Sequence, residues 1–285
     1  MTLPENRFNT LCRGVSSTIA KLQEEVTPKR VHRLRTTIRR IQSLVDYRQP
    51  ELISKQQDTL DDLSKLRKRA GKVRDLDIQI NLLNAIGNGS TRADRRALEE
   101  VLQGRRKHQA ERLVVATRKL ERSKFAGHLR QVAAAVSSSP AGSNAPDAPL
   151  RRAQKQIAVL AAQSASHAQI RPKRLHEMRI ALKMVRYLAE LAEESEEKKL
   201  FLEQLKAVQD TLGAWHDWEE LSRTAEKQFS HRAHCPLLDE VRALFAAKHA
   251  AALTAVSHLF SQYGAAPPRR QPRSVPSRVL AQRAQ

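Results

Sequence analysis

Two segments of this chain carry side chains in an order that could do chemistry. Residues 27–41 read TPKRVHRLRTTIRRI and residues 171–185 read RPKRLHEMRIALKMV. In each, Pro-Lys-Arg precedes a histidine, an arginine follows that histidine by three residues, and another base stands four further on. Pro28, Lys29, Arg30, His32, Arg35 and Arg39 match Pro172, Lys173, Arg174, His176, Arg179 and Lys183 at a constant offset of 144 residues. Side chains of these types donate hydrogen bonds to anionic oxygen, and the planar fork of arginine suits phosphate better than the point charge of lysine. A duplicated packing motif would repeat only apolar residues. This one repeats cations as well, which marks it for a ligand.

The helical period sorts the motif into two faces. At about 100° per residue, with His32 at zero, Arg35 falls near 300°, Arg39 near 340° and Lys29 near 60°. Val31, Leu34, Ile38, Ile41 and Val45 occupy roughly 180–260°, a stripe fit to pack into a bundle. The second copy divides the same way: Lys173, His176, Arg179, Lys183 and Arg186 share the cationic sector, and Leu175, Met178, Leu182, Val185 and Ala189 the apolar one. The bland reading of a cationic stripe is a solvated surface. Against it, no carboxylate lies between Lys29 and Val45 to neutralise the first stripe, and the stripe is duplicated together with its histidine.

His32 and His176 are each read in two ways. One is a hydrogen-bonded structural histidine at a pocket edge. The other is a donor to phosphate, whose charge would hold an imidazole protonated. The motifs supply neither the partner ligands a metal needs nor a nucleophile beside a base, so no catalytic or metal residue and no cofactor is assigned. His231, His234 and Cys235 form an isolated H-x-x-H-C run without matching ligands downstream, read as coincidence.

A second pair of segments follows the first. LSKLRKRAGKVRDLD at 63–77 aligns with LKAVQDTLGAWHDWE at 205–219, matching Leu63, Gly71 and Asp75 to Leu205, Gly213 and Asp217 at an offset of 142, with Asp77 facing Glu219. These elements are expected to be structural, their aspartates orienting a pocket arginine. Two motifs in the same order at nearly the same separation imply an internal duplication and a pseudo-twofold arrangement of its halves.

The elements that must position these residues are all helical. Ala, Leu, Lys, Arg, Glu and Gln fill long stretches between few breakers. Helices are predicted near 6–26, 29–48, 52–86 and 92–136, broken at Thr27-Pro28, Gln49-Pro50 and the Gly87-Asn88-Gly89-Ser90 turn. A linker spans 137–149, and four more helices fall near 150–169, 173–194, 196–230 and 236–262. The domain plan is therefore a first half over 1–136, the linker, a second half over 150–264 and a disordered basic tail over 265–285.

Net charge is +21, and its distribution is uneven. Residues 1–136 carry 29 basic and 15 acidic side chains, residues 137–264 carry 17 and 15, and the tail has five arginines and no acid. The partner is a highly charged anion. Two cysteines without C-x-x-C spacing fit a reducing cytoplasm, and no window is expected to reach the run of about 18 apolar residues that a membrane span needs.

The residues VHRLRTTIRR and LHEMRIALKMVRY, followed by GKVRDLD and LGAWHDWEEL, with LERSKF at 120–125 resembling the end of a first half, make the chain similar to the conserved histidine α-helical, or CHAD, domain family over about residues 8–262. The resemblance implies an all-α fold of two four-helix halves with a basic channel between them. It implies binding of inorganic polyphosphate and association with polyphosphate granules. The polyphosphate-binding set it carries over is His32, Arg35, Arg39 and Arg40 from the first motif, and His176, Arg179, Lys183 and Arg186 from the second, with Lys29 and Lys173 on the same faces. Two positions depart from equivalence: Arg40 faces Met184, and Gln42 faces Arg186.

The function expected is non-enzymatic polyphosphate binding through counterion release. The alternative is a nonspecific nucleic-acid-binding protein, which charge alone would allow. Single-strand readers add aromatic platforms for base stacking, and aromatics are 4% of this chain. Weak nucleic-acid binding is therefore the secondary expectation. Phosphoryl transfer needs carboxylates for magnesium or a nucleophile beside a base, and no such arrangement or Gly-rich phosphate loop stands out. Oligomeric state is left open.

Overall fold

The computed structural model describes residues 3–48, 50–86, 91–122, 124–138, 148–164 and 172–263. Its helices are α1 (Leu3–Glu24), α2 (Pro28–Arg48), α3 (Ser54–Ala85), α4 (Arg92–Arg122), α5 (Phe125–Ser138), α6 (Ala148–Ala162), α7 (Pro172–Ala189), α8 (Glu196–Phe229) and α9 (Pro236–Tyr263). No strand occurs among the described residues, as the sequence predicts.

The Pro-Lys-Arg triplet is a helix start. Proline fits the first helical position because its missing N–H is not needed there. Thr27 Oγ1 accepts from the Arg30 N–H at 3.3 Å, as an N-cap residue does. Arg30 then donates through Nη1 to the Lys21 and Glu25 carbonyls at 2.6 and 3.0 Å, closing the end of α1. In the second half, Ser195 caps α8 by accepting from the Lys198 N–H at 3.1 Å.

Val31, Leu34, Ile38 and Ile41 of α2 and Leu175, Met178, Leu182 and Val185 of α7 are buried, as their spacing predicts. The first stripe belongs to a core built by α1, α2, α4, α5 and the first part of α3. The second belongs to a core of α6, α7, α9 and the first part of α8. A third cluster joins the far ends of the two long hairpins: Leu76, Leu83, Ile86, Leu98 and Leu102 meet Trp218, Leu221, Phe229, Leu237 and Val241. The halves therefore share a core, and α2 packs against α7 and α3 against α8.

Three expectations are corrected. The predicted helix over 92–136 is two, because Lys124 takes φ 56, the left-handed conformation that ends helices, and α5 turns back onto α1 and α3. The first half thus has five described helices, and the chain continues past LERSKF within the same core. The expected linker is helical at both ends, at 137–138 and 148–149, and its remainder lies outside the described residues, as do the 87–90 turn and the 265–285 tail. Finally, α9 does contain a stretch long and apolar enough to cross a membrane. It arises from an alanine-rich sequence, while Leu237, Val241, Val256, Leu259 and Phe260 of the same helix are buried in the protein.

Candidate functional site

Where α2, α3, α7 and α8 meet, the cationic faces of the two repeated helices turn toward each other. Arg35 of α2 lies close enough to Asp75, Arg39, Arg67 and Arg179 for each to act on its guanidinium. Lys183 of α7 stands in the field of Arg179, Arg39 and Arg35, and Arg179 in that of Asp217, Arg39, Asp75 and Glu220. Residues about 144 apart in sequence thus form a single cluster.

Its electrostatics are those of like charges crowded together and partly shielded from water. Burial, then Arg179, Arg39 and Arg35, push the Lys183 ammonium down to about 7. Burial first weakens the charged forms of Arg35 and Arg179; Asp75 and Asp217 respectively oppose it, Arg39 adds to it, and as arginines both stay protonated at neutral pH. His32 is lowered by burial and by Arg74 and Arg35. Asp75, Asp217 and Glu220 are acids acting on these cations. Burial raises Asp75 and Asp217, the latter to about 6, while the nearby cations pull each back down. Asp75 keeps contact with solvent.

Two donors in the cluster have no acceptor. Arg67 Nε and Arg179 Nε are buried without a hydrogen-bond partner. Unsatisfied buried donors are rare and costly, at about 1–3 kcal/mol each, and more for charged groups. The cluster thus combines an excess of cations with unpaired donors.

The cluster also explains one repeated glycine. A Cβ added at Gly71 would collide with Arg35 Nη1, so the absent side chain makes room for the guanidinium. Its counterpart Gly213 has nothing near its missing Cβ and answers no such need.

The structure brings His32, Arg35, Arg39, Arg179 and Lys183 together, with His176 at the edge, its ring 5.1 Å from that of His216. It does not bring in Arg40 and Arg186. Both engage Glu190, Arg40 across the halves at 3.0 Å and Arg186 within its own half at 3.2 Å. Met184, the counterpart of Arg40, lines a separate cleft of largely apolar lining between α6 and α7. Lys29 and Lys173 are exposed in the first turns of α2 and α7. Arg106 pairs with Asp77 at 2.6 Å and bonds the Val26 carbonyl, a structural tie.

Sequence reasoning missed Arg67, Arg74 and His216. All three lie on α3 or α8, where the repeated pattern was read as structural. Among the described residues the one group able to hold a metal ion is His216, Glu219 and Glu220, so the H-x-x-H-C run brings no such set together.

The CHAD domain family model matches residues 14–226. The chain belongs to the CHAD domain family. The fold of this CHAD protein is similar to the crystal structure of the CHAD domain from the plant Ricinus communis, with a TM-score of 0.64, 20% identity and 90% of each chain covered. It is also similar to PptA from Streptomyces chartreusis, with a TM-score of 0.54, 16% identity, and 90% of this chain and 98% of that one covered. Comparison with curated proteins by sequence returns no match.

The glycine contrast gives a test within the CHAD fold. Gly71→Ala is expected to keep the melting midpoint within the change that about 1 kcal/mol produces, since alanine favours helix and a flexible arginine tip can shift. It should displace Arg35 and weaken anion binding severalfold, whereas Gly213→Ala leaves binding unchanged. Melting and polyphosphate titration of both variants check this.

Proposed function

We propose that this CHAD protein binds inorganic polyphosphate without hydrolysing it, threading the polyanion between α2–α3 and α7–α8. The observation that carries the reading is the pair of unpartnered buried guanidinium nitrogens, on Arg67 and Arg179, within a cluster whose cations outweigh its acids. Family membership supports the same ligand. A linear polyphosphate presents anionic oxygens at every unit, so one chain can serve Arg35, Arg39, Arg67, Arg179 and Lys183 together. Release of the counterions condensed on it drives association. Asp75 and Asp217 sit among cations, where they orient guanidinium groups, a positioning role. A location at polyphosphate granules follows from the same ligand.

Calorimetric titration with polyphosphates of defined length tests this. Affinity is expected to rise with chain length, to fall steeply with salt, and to drop at least roughly tenfold in Arg35→Ala/Arg179→Ala, with the salt slope smaller by about one per lost contact. Binding unchanged by the double substitution would place the site elsewhere. Displacement of polyphosphate by RNA or DNA at equal phosphate concentration would favour the nucleic-acid reading, and release of orthophosphate in the presence of magnesium or manganese would make the protein an enzyme.

Proton linkage gives a separate test. In the free protein Lys183 loses its proton at about 7 rather than at 10.5. Phosphate oxygen favours the ammonium form and restores that proton on binding. Above about pH 7, complex formation should take up a proton, and affinity should fall with rising pH by at most about tenfold per unit. Titrations in two buffers of different ionisation enthalpy read the uptake directly. Lys183→Met is expected to abolish it.

A further inference from the structure

The likeness between the two walls breaks at residue 216. By the offset of 142, Arg74 corresponds to His216, Asp75 to Asp217, Asp77 to Glu219 and Ile78 to Glu220. The structure keeps this correspondence: Arg74 acts on His32, and the His216 ring lies 5.1 Å from that of His176. Where the first half sets an arginine beside its histidine, the second sets an imidazole with two carboxylates one turn further on.

His216, Glu219 and Glu220 stand at i, i+3 and i+4 on one face of α8, and one ligand atom from each lies within 4.8 Å of the others. His216 Nδ1 is buried with no hydrogen-bond partner. Glu219 Oε2 stands 3.6 Å from it, beyond hydrogen-bond length. Arg223 donates to Oε1 of Glu219 at 2.9 Å and to Oε1 of Glu220 at 2.8 Å. That bridge holds both carboxylates in place and leaves Glu219 Oε2 facing the imidazole. Ion pairing with Arg223 accounts for the glutamates alone; it does not account for an unpartnered imidazole nitrogen directed at one of them.

We propose that His216, Glu219 and Glu220 bind one divalent transition-metal ion, which supplies at the second wall the positive charge that Arg74 supplies at the first. One nitrogen and two carboxylate ligands suit Mn²⁺ or Zn²⁺. Three protein ligands leave coordination positions open, and phosphate oxygens of the chain would fill them, a step that rests on the polyphosphate reading. Arg179, Lys183 and Arg223 oppose a cation here, whereas Asp217, Glu219 and Glu220 favour it. An anion in the cluster would shift that balance toward the metal.

The test uses the full chain stripped of metal with EDTA and titrated with Mn²⁺, the free ion being read by electron paramagnetic resonance. Wild type is expected to bind one ion per chain more than Glu219→Gln/Glu220→Gln, and His216→Ala to weaken that ion roughly tenfold or more. The amides are isosteric with the acids, melting of each variant verifies its fold, and the half-buried Glu220→Gln alone gives an independent reading. Equal Mn²⁺ uptake by wild type and folded variants overturns the proposal, as does no uptake by wild type at millimolar ion. Polyphosphate titration in EDTA separates the two readings: polyphosphate bound but no manganese sinks the metal site alone, and manganese bound but no polyphosphate sinks the polyphosphate reading alone.

Discussion

Cations of the same sign, drawn from opposite halves of the chain, are held against one another at the junction of four helices. Everything else in the structure serves or tolerates that crowding. Two like charges about 5 Å apart repel by about 3 kcal/mol at an effective dielectric near 20. Asp75 and Asp217 offset only part of this, and burial raises their own pKa values. What keeps Arg35 facing Arg179 is apolar packing on the other side of the same helices, where Val31, Leu34 and Ile38, and Leu175, Met178 and Leu182, are fully buried. The shared cluster around Phe229 and Trp218 clamps the hairpin ends. Burial of each such side chain is worth about 1.5–3 kcal/mol, so a few of them outweigh each repulsion.

The two walls are alike in plan and unequal in chemistry. Arg186 reaches Glu190 and Gln209, while Gln42, its counterpart, bonds Ser64 at 2.7 Å within the first half. Arg40 crosses to Glu190. Of these mismatched positions only Arg40 ties the halves together; the matched ones, Arg35 with Arg179 and Arg39 with Lys183, lie in the cluster. Inside the cluster, Arg67 faces Gln209 and Arg74 faces His216.

The cationic and apolar faces of α2 and α7 were legible because a helix face follows from local spacing alone. Val31 through Ile41 needed no knowledge of their neighbours to be placed inside. Arg67, Arg74 and His216 were not legible, since nothing in the spacing of α3 or α8 shows which residues meet α2 or α7. Only tertiary packing decides that. The role of Gly71 was hidden for the same reason: its missing side chain matters because of Arg35, a residue on another helix. The break between α4 and α5 carries neither proline nor glycine, only Lys124 in a left-handed conformation, so no sequence signal announced it. Arg40, expected from the family resemblance, and Arg186, expected also from its period, both pair with Glu190, a contact that neither helix announces on its own.

If an anion relieves the crowding, removing one cation should relieve it too. The most direct measurement is thermal melting of wild type and Lys183→Met at pH 6, with and without long-chain polyphosphate. The folded-state pKa of Lys183 is depressed to about 7, so its charge penalises the fold fully below that pH, and the penalty fades as pH rises toward 10.5. Free Lys183→Met should therefore melt above free wild type, by about 2 °C or more for each kcal/mol relieved. Polyphosphate should raise wild type more than the variant and narrow that gap. A variant that melts below wild type, or equal shifts in both proteins, would contradict the claim that the fold is strained by its cations and completed by an anion.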